Sequence, residues 1–488
     1  MATRRFRELL GEWKTGEGPL YQRLADALRE AIERGELAMG TRLPAQRQLA
    51  EMLGVSRTTA VLAYDRLVQE GWLESREGSG TTIRRGPTRA LAIRQGAAAV
   101  IGSRNEVFRG LVVHTGADIE FHGAHFEGMP EVFERLWNES RADLVELLQG
   151  HGYVPFGLPS LREAIAAHLE RSGLPTRPDQ LLVTSGAQQA ISLVANLMIE
   201  PGDRVVLEDP TYLGAIDAFT AFGARLEGVA SGPHGVQVEA LREAVGRVAP
   251  RAVYLVPTSH NPTGSILPET ARRDVARIAE ASSSVWIEDL TLSDLTLDGE
   301  PPAPLAALGK GAMWLTIGSL SKFFWAGLRV GWIRGPEAVI TRLARLKVVS
   351  DLSGSIVSQA VGVRVLEHAR ELTETRRRQA RERLDHTMRL LARHLPSWKF
   401  RRPAGGLSLW LQIPFGDVAE LATLARRRAV AIVPGTANSP TGRFHDHLRL
   451  PFVGNPDQVA EGIERLAAAW EEYAAERRDD RRAMGVVV

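Results

Sequence analysis

The 488-residue sequence contains no cysteine, few aromatic residues and only five lysines. Without cysteine the chain has no disulfide framework, no thiolate metal site and no cysteine nucleophile. No apolar run approaches the roughly 18 residues that a membrane-spanning helix needs, and no apolar leader follows the basic N-terminus. A cytoplasmic protein is therefore expected. The length predicts two to four domains with a large buried core.

The scarcity of lysine restricts any chemistry that requires a primary amine. Against 55 arginines, which codon usage can explain, the chain has Lys14, Lys310, Lys322, Lys347 and Lys399. Lys14, Lys310, Lys347 and Lys399 lie in no recognisable motif, so arginine is expected to replace each with little consequence. Lys322, in contrast, lies in a motif with hydroxyl, aromatic and arginine side chains that could support chemistry at its amine.

The hydrophobic pattern divides the chain into zones. The N-terminal zone is helical and ends in a Gly-rich hairpin, and the next segment shows no sustained period, as a linker would. Beyond it short apolar runs alternate with helical patterns, which predicts an α/β fold with a mostly parallel sheet. The predicted boundaries are 1–84, a linker at 85–117, a domain at 118–475 with a large lobe (118–365) and a small α+β lobe (366–475), and a charged tail at 476–488. The predicted strands are 181–184, 204–208, 252–257, 285–289 and 314–318, with a helix at 187–199.

The N-terminal zone has the pattern of a helix-turn-helix. Residues 19–35 carry an aliphatic side chain every four positions and predict an amphipathic helix. Two helices follow around a turn at Gly54, with Ser56 placed to cap the second one. In that helix Val61, Leu62 and Leu67 are expected to face inward. The first turn carries hydrogen-bonding groups, as expected of a helix that enters a major groove N-terminus first.

A hairpin, GWLESREGSGTTIRR, completes this zone. With Gly78 and Gly80 at its tip and Arg84 and Arg85 at its foot, it predicts a wing that follows the phosphate backbone. Together, PLYQRLADALREAIERGEL, GTRLPAQRQLAEMLGVSRTT and AYDRLVQEGWL make residues 19–83 resemble the winged helix-turn-helix of the GntR family of bacterial regulators. The resemblance implies double-stranded DNA as a partner, with contacts from Arg47, Ser56, Arg57, Thr58, Thr59 and Gly80. Ala45 stands where the family more usually has serine.

Lys322 lies in GSLSKFFWAGLRVGW, directly after a predicted strand. The three aromatic residues that follow it disfavour an ammonium and favour a free amine, which a covalent bond to a carbonyl compound requires. Ser319, Ser321 and Arg329 suit an anionic phosphate. Upstream, the turn in TSGAQQ offers Gly186 and backbone N–H groups at a helix N-terminus, which also suit a phosphate.

Three further side chains lie in motifs that suit an aromatic, phosphorylated cofactor. Tyr212 offers a flat ring, Asn261 an amide at a strand end, and Asp289 a carboxylate that can partner a pyridinium nitrogen. In this order the motifs make residues 118–475 resemble the fold type I aminotransferases of class I/II, which use pyridoxal 5′-phosphate (PLP). The resemblance implies that Lys322 bonds covalently to PLP, with Asp289 on the ring nitrogen, Asn261 on the phenolic oxygen and Tyr212 stacked on the ring.

The same resemblance assigns the anionic groups. The implied phosphate ligands are Gly186, Ala187, Gln188, Ser319, Ser321 and Arg329, with Tyr153 reaching the phosphate of a neighbouring subunit. Arg449 is expected to bind the α-carboxylate of a substrate or effector. Thr291 stands near the place where the family usually has a tyrosine, which predicts weaker turnover. His445 and His447 have no third ligand nearby, so they are expected to be solvated loop histidines and no metal is expected.

Together the two halves resemble the MocR (GabR-type) subfamily of regulators, which implies a homodimer, with DNA-binding domains swapped onto the partner's body. Three functions remain open. The favoured one is a PLP-dependent transcription regulator that responds to a small amino compound. The alternatives are an aminotransferase that carries a DNA-binding domain, and a DNA-binding protein whose body only dimerises.

Overall fold

The structure, a computed structural model, describes residues 10, 13–15, 19–33, 37, 41–69, 72–76, 80–83 and 117–483. The chain forms two compact units, Met1–Ala99 and Val100–Val488. Gly78, Arg84, Arg85 and the predicted linker up to residue 116 lie outside the described residues. Within the described ranges, every helix is too short or too polar to cross a membrane.

The N-terminal unit is a helix-turn-helix followed by a hairpin. Its elements are α1 (Leu20–Glu33), α2 (Gln46–Leu53), α3 (Arg57–Gln69), β1 (Leu73–Arg76) and β2 (Gly80–Ile83). Both α1 and α2 pack on α3 around a core that includes Leu24 and Leu67. Gly54 ends α2 with a φ of 63°, which glycine adopts without strain. Ser56 Oγ accepts the Thr59 N–H at 3.0 Å, so the predicted cap of α3 is confirmed.

Two features of this unit differ from the sequence-based expectation. Residues 41–43 hydrogen-bond to β2, so the wing has a third extended segment that the sequence did not indicate. The inward face of α3 consists of Ala60, Ala63, Tyr64 and Leu67 at helical spacing. Leu62 lies off that face and is 42% exposed, so the expectation that it faces inward is wrong.

The C-terminal unit is an α/β fold. Its strands are β3 (Ile119–Glu120), β4 (Leu181–Thr184), β5 (Arg204–Asp209), β6 (Arg225–Gly232), β7 (Gly235–Val236), β8 (Ala252–Leu255), β9 (Val285–Asp289), β10 (Met313–Ser319), β11 (Gly331–Arg334), β12 (Ser408–Gln412), β13 (Val430–Ala431), β14 (Val433–Pro434) and β15 (His447–Pro451). Its α-helices are α4 (Pro130–Leu147), α5 (Pro159–Arg171), α6 (Ala187–Met198), α7 (Leu213–Ala221), α8 (Val238–Val248), α9 (Glu269–Glu280), α10 (Leu305–Leu308), α11 (Glu337–Asp351), α12 (Ile356–Glu367), α13 (Ala369–His394), α14 (Val418–Arg427) and α15 (Pro456–Ala483). Short 3₁₀ helices occupy Pro178–Gln180, Ser293–Leu295, Ala326–Leu328 and Gly435–Asn438.

The central sheet of this unit has eight strands in the order β4-β11-β10-β9-β8-β5-β6-β7. The run from β10 to β6 is parallel, whereas β11 and β7 are antiparallel to their neighbours. Successive residues of β8 enter different apolar cores, Val253 one and Tyr254 the other, so both faces are covered as in other α/β folds. The predicted mostly parallel sheet is confirmed. Parallel strands bring their carboxyl ends, and the loops beyond them, to one edge.

The smaller lobe is built on the antiparallel sheet β12-β15-β14 with α14 and α15. β3 pairs with β13, so the chain enters the C-terminal unit in this lobe before it reaches the large one. α15 continues past residue 475 into the segment predicted as a tail.

Replacing Leu67 with alanine should destabilise the N-terminal unit by about 2–5 kcal/mol, because it removes a fully buried side chain from a small core. The matched control, Leu62→Ala, should change stability by less than about 0.5 kcal/mol, since that side chain lies off the buried face of α3 and is 42% exposed. Hydrogen exchange of the α1–α3 amides in the full-length protein measures both effects. Equal losses in the two variants would contradict the assignment of the buried face.

Candidate functional site

A cavity of about 920 Å³ lies at the carboxyl edge of the central sheet. Its lining includes most of the site residues predicted from the sequence: Ala187, Gln188, Tyr212, Asn261, Asp289, Ser319, Ser321, Lys322, Arg329 and Arg449. Gly186 immediately precedes α6 at the same edge. Tyr153 lies apart from them, since it is 56% exposed and stacks on His151. The fold therefore brings residues from distant parts of the sequence to one place.

Lys322 follows β10, and its Nζ donates a 2.9 Å hydrogen bond to the carbonyl of Ala124. Burial lowers the pKa of Lys322 from 10.5 to about 8. This value of about 8 also includes the positive charges of Arg449 and Arg329, which lower the pKa, and the Asp289 carboxylate, which raises it. Near neutral pH a useful fraction of Lys322 is free amine, the form that attacks a carbonyl carbon.

Asp289 ends β9 and is buried, with both oxygens held by the protein. The hydroxyl of Tyr254 donates to one oxygen at 2.6 Å, and the backbone N–H of Thr291 donates to the other at 2.8 Å. Burial raises the pKa of Tyr254 well above 10, so this hydroxyl stays a donor. Tyr254 was not predicted as a site residue, because a tyrosine inside an apolar strand looks like an ordinary core residue.

The neighbours of Asp289 leave polar atoms available to a ligand. Tyr212 donates from its hydroxyl to Gln188 Oε1 at 2.9 Å, and burial raises its pKa, so it remains neutral. In the part of the chain that the structure describes, Asn261 Oδ1 and Thr291 Oγ1 are buried without a hydrogen-bond partner. Buried polar atoms are usually satisfied, so these two fit a polar ligand in the cavity.

Three kinds of donor meet at the start of α6 and suit an anion. Gly186 has a φ of 105°, and a Cβ on it would lie 2.9 Å from the Arg329 guanidinium, so glycine allows this close approach. Arg329 donates to the carbonyl of Ser185. Ser319 Oγ lies 2.9 Å from Ser321 Oγ and places both hydroxyls beside this turn. A helix N-terminus with an added cation attracts phosphate.

Arg449, on β15, is 4% exposed and donates to the carbonyl of His122. Burial lowers the pKa of Arg449 to about 10, so it still carries its charge at neutral pH. Its Nε has no partner among the described residues. A buried guanidinium with spare donors fits a carboxylate.

The segment at residues 122–127, which the sequence did not indicate as part of the site, also lines this cavity. Within it His122, His125 and Phe126 line the cavity, as does Trp325 beyond Lys322. Burial and the charge of Lys322 lower the pKa of His125, whereas Glu127 acts in the opposite direction. The segment has no regular period, so the sequence held no signal that would place it here.

The two histidines of the motif His445-x-His447 pair with aspartates. His445 lies 3.2 Å from Asp417, and His447 lies 2.7 Å from Asp446. His447 begins β15 and stacks on Trp410, so the expectation of a solvated loop histidine is wrong for His447. No cluster of three or more potential metal ligands occurs within the described ranges.

In the N-terminal unit the predicted DNA contacts lie on α2, at the start of α3 and on β2. Arg47, Ser56, Arg57 and Thr58 are exposed, and Thr59 is half-buried. Gly80 is the first residue of β2, opposite Arg76. The first turn of α3 is thus open to a ligand, as recognition by its N-terminal end requires.

Comparison with known proteins agrees with this division. The family "Aminotransferase class I and II" matches residues 135–466, and "Bacterial regulatory proteins, gntR family" matches residues 20–83. The chain is 30% identical to the uncharacterized HTH-type transcriptional regulator YisV of Bacillus subtilis over 93% of both chains. It is also 30% identical, over 78% of both chains, to the probable rhizopine catabolism regulatory protein MocR of Rhizobium meliloti. The chain belongs to the MocR-type regulators.

The aminotransferase half of this MocR-type chain also has close structural counterparts. LysN, an α-aminoadipate aminotransferase from Thermus thermophilus solved with N-(5′-phosphopyridoxyl)-L-leucine, superposes with a TM-score of 0.71 at 30% identity. The match covers 80% of this chain and 99% of LysN. The fusion of a GntR-type helix-turn-helix to a fold type I aminotransferase domain, predicted from the sequence, is therefore confirmed.

The rate at which trinitrobenzenesulfonate modifies Lys322 should rise with pH around a midpoint near 8, because the reagent attacks only the neutral amine. Lysine in a short peptide, which titrates at about 10.4, serves as the reference. Arg449→Met should move the midpoint upward, since it removes a neighbouring positive charge. With five lysines in the chain, peptide mapping by mass spectrometry resolves each site. A midpoint equal to that of the peptide would show that the amine is not perturbed.

Proposed function

We propose that this MocR-type regulator carries PLP on Lys322, and that a small amino compound reacting there changes its affinity for operator DNA. The observation that carries the proposal is the half-buried Lys322 amine, with its pKa near 8, in a cavity that also holds Asp289 and unpartnered polar atoms. The aminotransferase family match and the phosphopyridoxyl ligand of LysN support PLP as the cofactor. The GntR-type unit in the same chain supports DNA as the target.

The residues of the cavity would divide the work as follows. Asp289, fixed by Tyr254, would pair with the ring nitrogen and keep it protonated. Asn261 would donate to the phenolic oxygen, and Tyr212 would stack on the ring. The phosphate ligands would be Gly186, Ala187, Gln188, Ser319, Ser321 and Arg329. PLP supplies an electrophilic carbonyl and an electron-withdrawing ring when bound.

The end of the cavity at Arg449 would bind the carboxylate of the effector. Arg449 lies buried beyond Lys322, and its pKa near 10 keeps it charged. Both functional side chains donate to one segment, Lys322 to Ala124 and Arg449 to His122. An amino acid that bonds to Lys322 or Arg449 would replace the hydrogen bond from that side chain to the segment at residues 122–124 and would change the position of this segment. A ligand shifts a conformational equilibrium only through unequal affinity for two states, and these contacts supply such a difference.

A homodimer completes the proposal. Large apolar side chains are exposed at the end of α4 and on α11, among them Val145 at 64%, Leu148 at 77% and Val349 at 87%. Exposed apolar patches of this kind mark contact surfaces. Tyr153 would reach the partner's phosphate, with DNA-binding domains swapped between protomers. Two such domains would match two half-sites of an operator in the cytoplasm.

The DNA affinity of the protein should depend on the occupant of the cavity. With PLP bound, a panel of amines and amino acids is titrated while the affinity for a fragment of its own promoter is measured at fixed salt. One ligand class should shift the PLP absorbance and change the affinity for DNA together. Lys322→Ala should lose both responses. Affinity that is the same with and without PLP and every amino compound would contradict the proposal.

Arg449→Met should weaken the response to an amino acid effector by about 100-fold, because it removes a buried charge-assisted pair. The matched control is the decarboxylated amine of the same effector, for which the variant and the original protein should respond at similar concentrations. Spectral titration of the PLP band measures both. An equal loss for the acid and the amine would place the carboxylate elsewhere.

The alternative function is an aminotransferase that carries a DNA-binding domain. It is favoured by the full set of Lys322, Asp289 and Arg449, and by a 32% identity to the 2-aminoadipate transaminase of Thermus thermophilus over 70% of this chain. Thr291 opposes it, because no phenolic hydroxyl comes from that position. Steady-state transamination at about 1–1000 per second, with DNA affinity unchanged, would decide for the enzyme.

A further inference from the structure

Lys347, on α11, is a buried cation that the proposed chemistry does not use. It is 1% exposed, and its Nζ donates at 2.8 Å to Asp351 Oδ1, one helical turn further on. A buried ammonium is costly unless it is paired and hydrogen-bonded. Nothing in the sequence around Lys347 indicated this environment, and free exchange for arginine is no longer expected in so enclosed a position.

The Lys347–Asp351 pair is the start of a chain of hydrogen bonds that ends at the anion site. The second oxygen of Asp351 accepts from Gln189 Nε2 at 2.8 Å. Gln189 Oε1 accepts the backbone N–H of Ser185 at 2.8 Å, and the carbonyl of Ser185 accepts from Arg329. Lys347 is thereby connected to the turn whose N–H groups and neighbouring guanidinium face the cavity.

These hydrogen bonds restrain the turn at residues 185–187, which glycine alone leaves flexible. Gly186 has a φ of 105°, and glycine permits this value without selecting it. The Gln189 side chain favours this conformation, because its Oε1 accepts from the Ser185 N–H and its Nε2 donates to Asp351. Asp351 is 25% exposed at its side chain, so without Lys347 the carboxylate can turn to water and release Gln189.

We propose that Lys347 is a positioning residue for the cofactor phosphate: through Asp351 and Gln189 it holds the turn at Ser185–Ala187 in the conformation that binds the anion. The inference rests on the proposed function, since it assigns the phosphate of PLP to this turn. Lys347 itself does not line the cavity and touches no reacting atom.

The test compares PLP with pyridoxal, which lacks the phosphate. Full-length protein freed of cofactor is titrated with each compound, and binding is followed by absorbance. Lys347→Met and Asp351→Asn should each weaken PLP binding about tenfold, the effect of one charge-assisted hydrogen bond, and change pyridoxal binding by less than about twofold. The control is Lys310→Met, an exposed lysine outside the chain of hydrogen bonds, which should change neither.

A double variant tests the route. In a Gln189→Leu background, adding Lys347→Met should weaken PLP binding by less than about twofold, because the two residues act through one connection. If Lys347→Met does not fold, Asp351→Asn decides, with circular dichroism as the check of folding.

Two results would overturn the inference alone: variants that bind PLP as the original protein does, or that lose PLP and pyridoxal equally. If the original protein shows no saturable PLP binding, the proposed function fails together with the inference.

Discussion

The Lys322 amine shares a cavity with the guanidinium groups of Arg449 and Arg329, and this electrostatic constraint shapes the whole site. Burial and the charges of Arg449 and Arg329 lower its pKa to about 8, while Asp289 alone among its strong neighbours favours the charged form. The two positive charges of these guanidinium groups also favour the binding of anions in the cavity. A phosphate beside Arg329 and a carboxylate beside Arg449 would neutralise these charges. The same two arginines would thus both lower the pKa of the amine and bind the anionic groups of its ligands.

The central sheet explains why such different groups meet. Parallel strands deliver Asp289 and Lys322 to one edge, and β4, which runs in the same direction, brings the turn before α6 to that edge. The segment that follows β3, residues 122–127, also lines the cavity. Arg376, on α13, donates to the carbonyls of Glu127 and Phe324 at 2.7 and 2.8 Å, and so ties that segment to the chain just after Lys322. Arg376 therefore links α13 directly to two segments that line the cavity.

Much of the site followed from local patterns. Lys322, Asp289 and Gly186 lie in short motifs whose meaning depends on a strand end, a turn or a helix start, and these are set by nearby residues. The helix-turn-helix was equally accessible, since the Gly54 turn and the Ser56 cap are local. Leu62 was misplaced because apolar character alone does not fix which face of a helix is buried.

The sequence by itself determined the two-part architecture and the places of Asp289 and Lys322 at or just after strand ends. The tertiary structure alone decided that Tyr254 holds Asp289, that His125 lies beside Lys322, and that Lys347 is buried in a hydrogen-bond chain to the anion site. The physical reason is range: turns, caps and periodicity are set by residues a few positions apart. Burial, charge coupling and hydrogen-bond partners depend on which distant segments pack together.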